Sequence, residues 1–121
     1  MDVLTAEEKL ASWVENVTGM TSLVFRAGLP RGIREGMEVK LLSGTPGTFD
    51  KLNEYTFEIK GLSPDRKSLM ERFNALCALL PLQQYDSFVY AAPKGAIRFG
   101  LDSKEGMQLF TASMELTASF A

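Results

Sequence analysis

Two acidic pairs, a single cysteine and a small basic cluster are the residues whose types and spacing could do chemistry. Glu35 with Glu38, and Asp50 with Glu54, bring carboxylates close along the chain. Such pairs can work as general acid and base, or hold a divalent cation through oxygen. Neither sits in a recognisable ligand pattern, and the surrounding segments read as solvated, so both are expected to be solvent-facing charge. Cys77 could be a nucleophile if a neighbour depressed its pKa. It falls on the apolar stripe of a helix in a chain without histidine, so a small buried hydrophobe is the expected role. Arg26, Arg31, Arg34 and Lys40 form the densest basic neighbourhood, nearly cancelled by the interleaved Glu35 and Glu38. So dilute a patch would release few counterions from nucleic acid, and solvated or interface-rim charge is expected instead. Gly28-Leu29-Pro30-Arg31-Gly32 and Gly44-Thr45-Pro46-Gly47 are the glycine-rich loops. They lack the lysine of a phosphate loop and the G-x-G-x-x-G spacing of a dinucleotide turn, and read as ordinary turns.

Composition narrows the field further. The chain has 121 residues, 45% hydrophobic and 23% charged, the balance of a globular domain, and a single domain over 1–121 is expected. A chain this long buries about two-thirds of its unfolded surface, enough for a core of its own. Net charge is −2, which leaves no broad basic surface for phosphates. The absence of histidine removes Ser-His-Asp and Cys-His catalysis and histidine-ligated metals. One cysteine excludes an internal disulfide and a cysteine-rich zinc site. No catalytic, cofactor-binding or metal-binding residue is therefore expected. The stretch Met1 to Glu8 carries acid where a secretory leader would be basic, and the most apolar run, Ala75 to Leu82, contains Pro81. That run is far short of a membrane span, and an intracellular protein is the expectation.

The elements that must position these residues follow from periodicity. A helix is predicted over Thr5 to Val17, with Thr5 and Glu8 as a capping box, Leu10, Trp13, Val14 and Val17 as its apolar face, and Gly19 as its stop. Trp13 belongs to the core on this reading. Short strands are predicted at Thr21–Arg26 and Met37–Leu41, then a connection from Ser43 to Asn53. Tyr55, Phe57 and Ile59 alternate with Thr56, Glu58 and Lys60 in the clearest half-buried strand. A second helix is predicted after Ser63 as cap, with Pro64 in the first position, Asp65 at the positive dipole end, and Leu69, Phe73, Leu76, Cys77 and Leu80 as its stripe. Pro81 should stop it. Phe88 with Tyr90 starts a strand that a Pro93-Lys94-Gly95 turn separates from Ile97, Phe99 and Leu101. After a turn at Ser103 to Gly106, a last strand alternates Phe110, Ala112, Met114, Leu116, Ala118 and Phe120 against polar residues. The expected fold is α+β, a mostly antiparallel β-sheet with two α-helices packed on one face, in the order α-β-β-β-α-β-β-β.

With that order in view, the chain resembles the tail terminator proteins of phages and prophages, also known as minor capsid or head-tail joining proteins. The likeness rests on the opening helix with its short strand and Arg/Gly/Pro turn, and on Tyr55-Thr56-Phe57-Glu58-Ile59-Lys60 running into Gly61-Leu62-Ser63-Pro64-Asp65. It rests also on Leu82-Gln83-Gln84-Tyr85 leading to a hairpin and a terminal strand ending Glu115-Leu116-Thr117-Ala118-Ser119-Phe120. The resemblance implies a non-enzymatic subunit, commonly a hexameric ring, that caps the tail tube and joins it to the head connector. It implies as partners the chain itself, the tail tube protein and the head connector protein. DNA would pass through the ring without sequence-specific binding, no membrane or cofactor would be involved, and the protein would reside in the virion after assembly in the host cytoplasm. A heterologous contact closes into such a ring when its rotation closes, and the Ser43 to Asn53 loop would be a natural arm. Another head-tail joining or tail-tube component, or a small-ligand or peptide-binding α+β module using the open sheet face and its aromatics, remains as an alternative.

Overall fold

The apolar face of the first helix seats it against a sheet. In the computed structural model, which describes residues 3–19, 24–26, 32, 34–45, 53–85, 88–104 and 106–120, helix α1 spans Val3–Thr18. Ala6, Leu10, Trp13 and Val14 are buried and Val17 packs against them, the spacing of one helical face. Helix α1 starts at Val3, two residues ahead of the expected Thr5. Its end is as read: Gly19 takes φ 69 and its N–H donates to the Glu15 carbonyl at 2.8 Å, a left-handed cap that a side chain would strain.

Strand β1 (Val24–Arg26) follows, then β2 (Gly36–Thr45), β3 (Asn53–Ser63), helix α2 (Arg66–Ala78), β4 (Leu82–Tyr85), β5 (Phe88–Lys104) and β6 (Met107–Phe120). They form one six-stranded sheet in the order β1-β2-β3-β6-β5-β4. Among the described residues the β1–β2 pair is parallel and the other pairs are antiparallel. The α+β class therefore holds, with both helices on one sheet face.

Alternation fixes which face. Tyr55, Phe57 and Ile59 of β3 lie opposite Ala118, Leu116 and Met114 of β6, and all six are buried. Met37 and Val39 of β2 extend the same layer. Helix α1 packs over β1 and β2 while α2 packs over β3 and β6, contributing Leu69, Phe73 and Leu76. Between them Thr56, Glu58, Lys60, Ser113, Glu115 and Thr117 stay half-exposed on the opposite face.

The start of α2 differs from expectation. Its cap is Asp65, whose carboxylate accepts from the Lys67 N–H at 3.0 Å, and the helix proper begins at Arg66. Ser63 closes β3 instead, buried, its hydroxyl accepting from the Asp65 N–H at 3.0 Å. A hydroxyl turning the chain two residues early leaves the carboxylate as the group nearest the free helix amides. The helix ends at Ala78, short of Pro81, with the Leu79 and Leu80 N–H groups donating to Leu76 and Cys77 at 3.2 Å.

Two strand boundaries are also corrected. Ser43, Gly44 and Thr45 are not loop but the end of β2, paired with Thr56, Tyr55 and Glu54 after a bulge between Leu41 and Ser43. Glycine is required there because the Tyr55 ring lies over it, 2.6 Å from where a Cβ would stand. Residues 46–52 of the expected connection, and 21–23 of the first expected strand, lie outside the described residues. Pro93-Lys94-Gly95 is not a turn between two strands. Strand β5 runs through it as a bulge: from Lys94 to Arg98 it advances four residues while β6 advances two, from Glu115 to Ser113, with Gly95 at φ 83. Strand β4 ends its pairing at Ala91, so among the described residues no strand pairs the outer side of β5 at Pro93, an edge position that tolerates proline.

Candidate functional site

Strand pairing turns the exposed face of the sheet into ordered rows. Lys40 of β2, Glu58 of β3, Glu115 of β6 and Lys94 of β5 are successive cross-strand neighbours. The next row runs Glu38, Lys60, Ser113 and Arg98. Opposite charges meet at Lys40–Glu58, Glu115–Lys94 and Glu38–Lys60, Glu58 beside Glu115 sets like charges together, and Ser113 places an uncharged residue between Lys60 and Arg98. The β5 bulge folds over the end of the first row, leaving a shallow cavity of about 220 Å³ lined by Glu58, Lys94, Arg98, Ser113 and Glu115.

The residues singled out from sequence do not converge. Glu35 turns to the helix side and accepts from the Arg72 guanidinium of α2 at 2.5 Å, while Glu38 joins the charged sheet face opposite Lys60. Glu54 is exposed near the start of β3, and Asp50 lies outside the described residues. Among the described residues, no group of three or more acids or thiols is placed to hold a metal ion. Cys77 is half-buried in α2, its Sγ 4.0 Å from the Met114 sulfur. Burial pushes the thiol pKa up, the direction that disfavours a thiolate nucleophile. Of the basic cluster, Lys40 stands on the charged sheet face, Arg34 is exposed, Arg26 is in β1 and Arg31 lies outside the described residues. Trp13 is core, 1% exposed. The first glycine-rich turn lies outside the described residues except Gly32, which takes φ 89.

A second feature escaped the sequence reading. Alternation of Ile97, Phe99 and Leu101 implied burial, yet Phe99 and Leu101 are 58% and 60% exposed. They oppose Ala112 and Phe110 on the helix-bearing face, at the end of β5 that neither helix packs over. Arg98 and Asp102, also exposed, take the other face. The alternation gave their faces correctly; how far two helices reach across a sheet is not written in a strand's own residues. No helix among the described residues is long and apolar enough to cross a membrane.

No known family model matches this chain, and no curated protein matches its sequence.

Proposed function

We propose that the chain is a structural subunit of a phage or prophage tail, which caps the finished tail tube and joins it to the head connector, in a hexameric ring. The β5–β6 hairpin carries this reading. Its strands of 17 and 14 residues outreach the helices and hold Phe99 and Leu101 in solvent, as suits a building block whose apolar surface is covered by another chain. The order of elements, on which the family resemblance rests, supports it too. The partners on this reading are other copies, the tail tube protein and the head connector protein. DNA passes through the bore without base-specific contact, and no catalysis or cofactor enters. Its place is the head–tail junction of the virion, reached from the host cytoplasm during assembly.

A second reading, a binding module for a small ligand or peptide, draws on the charged cavity beside the β5 bulge. At about 220 Å³ that cavity is below the roughly 300–1,000 Å³ of ligand sites. Tyr55 and Phe57 face the helices, and of the described aromatics Tyr90, opposite Ser119, stands exposed on the open face.

The test is capture by tubes. Untagged protein mixed with purified tail tubes should co-sediment with them and appear in negative stain as an annulus at one tube end. Failure to bind tubes at protein concentrations of tens of micromolar, chosen by ordinary assembly affinities, overturns the reading.

A further inference from the structure

The outer edge of β5 is self-complementary. Strand β4 covers β5 only at Phe88, Tyr90 and Ala91, and among the described residues no strand pairs its outer side from Ala92 to Lys104. Unpaired strand edges are templates for another chain, and proteins blunt them with proline, lysine and bulges. Strand β5 carries all three between Pro93 and Arg98. That protection stops where regular pairing with β6 resumes, and Arg98-Phe99-Gly100-Leu101-Asp102 presents an unguarded edge.

Laying this segment antiparallel against itself, with a two-fold axis through Gly100, sets residues opposite one another in a particular way. Arg98 of one copy faces Asp102 of the other, twice by symmetry, on the charged sheet face. Phe99 faces Leu101, also twice, on the helix-bearing face. Gly100 meets Gly100 at the axis, with no side chains to clash. Directly opposed residues in an antiparallel pair point to the same face. The axis therefore joins opposite charges on one side while covering, on the other, the two most exposed large apolar side chains of the described residues. Moving the axis by one residue either way breaks this: through Phe99 it sets Arg98 against Gly100, and through Leu101 it sets Asp102 against Gly100.

We propose that two copies of the protein pair through the β5 edge about Gly100, joining their sheets into one. The contact is isologous, each copy presenting the same patch. It shares with the tail reading the exposure of Phe99 and Leu101, but rests on strand register and charge and is tested by cross-linking, whereas the tail reading is tested on tubes.

Cysteine trapping tests it without depending on the final size of any assembly. In a Cys77→Ser background, Gly100→Cys brings two thiols together at the axis, where opposed Cα atoms at roughly 4.5–5.5 Å suit a disulfide. Among the described residues the new Cβ has one neighbour within 4 Å, Thr111 Oγ1 at 3.2 Å. Under mild oxidation Gly100→Cys should cross-link to itself at least about tenfold faster than Lys40→Cys, an exposed position on β2. Adding Arg98→Asp, or adding Asp102→Arg, sets like charges against each other and should slow cross-linking by about tenfold or more, the loss of close interfacial charge pairs. Mixing the two single-reversal proteins restores opposite charges and should restore the link between them, as should both changes in one chain. Both reversed residues are exposed, and circular dichroism of each variant checks that it is folded before cross-linking is compared. Cross-linking no faster than at the β2 position, or indifferent to the reversals, overturns the proposal.

Discussion

Gly61 of β3 lies so close beneath Phe73 of α2 that a Cβ at residue 61 would stand 2.8 Å from Phe73 Cε2 and 2.7 Å from Leu69 Cδ1. Both side chains are buried, with 1% exposure each, so neither has free space to enter. This one missing methyl sets how closely the helix approaches the sheet.

Gly61→Ala should therefore destabilise the fold. Overpacking a filled core costs about 1–3 kcal/mol. The relief of glycine's conformational freedom in a strand, roughly 0.5–1 kcal/mol, offsets only part of it. A urea titration should show a lower midpoint with an unchanged slope. A midpoint at or above wild type would mean that α2 shifts freely over β3.

The cap of α2 gives a sharper comparison, because two residues compete for the role. Asp65→Ala removes the acceptor for the Lys67 N–H and should cost about 1 kcal/mol. Ser63→Ala removes a different bond, the one accepted from the Asp65 N–H beside a buried strand end, and leaves the cap in place. Amide hydrogen exchange separates them. Asp65→Ala should raise exchange in the first turn of α2, whereas Ser63→Ala should raise it at Asp65 and leave that turn protected.

The stripes of α1 and α2 and the alternations of β3 and β6 were legible because each repeats one rule over many residues, as Leu69, Phe73 and Leu76 or Phe57 and Ile59 do. The cap was not, since serine and aspartate two positions apart satisfy the same rule and only the strand end decides between them. Strand β5 misled for a related reason. Pro93 and Gly95 fit a turn and a bulge equally well locally, and the choice is made by β6, whose unbroken run from Met107 to Phe120 gives β5 a partner on both sides of the bulge. The candidate surfaces were half legible. Faces can be read from alternation, but the rows of charge depend on register between strands far apart in sequence, and the exposure of Phe99 depends on where the helices end.

Cys77 should report its burial through pH. Its pKa is raised from the ordinary thiol value of 9.0 by desolvation, so the folded protein holds its proton to higher pH than the unfolded chain. The contribution to stability is then fully present below the unfolded pKa and is lost as pH rises through the folded one. Alkylation of the folded protein with iodoacetamide should follow a titration displaced upward from that of the urea-unfolded chain. Cys77→Ala should remove that part of the alkaline fall in stability. A folded-state profile at or below the unfolded one would contradict the burial of the thiol against Met114.

The row Lys40, Glu58, Glu115, Lys94 predicts an asymmetric response to charge change. Glu115→Gln removes one repulsion, from Glu58, and one attraction, to Lys94, so its net effect should stay within about 0.5 kcal/mol. Lys94→Glu instead sets three carboxylates side by side and should destabilise by about 0.5–1 kcal/mol at low salt, the scale of cross-strand charge pairs. These groups face solvent, so the loss must be screened: at 1 M salt the Debye length falls to about 3 Å and the difference should largely vanish. Thermal or urea unfolding of the two variants at low and high salt measures this directly. Equal effects of Lys94→Glu at both salt concentrations would show that the residue matters through the bulge backbone and not through its charge.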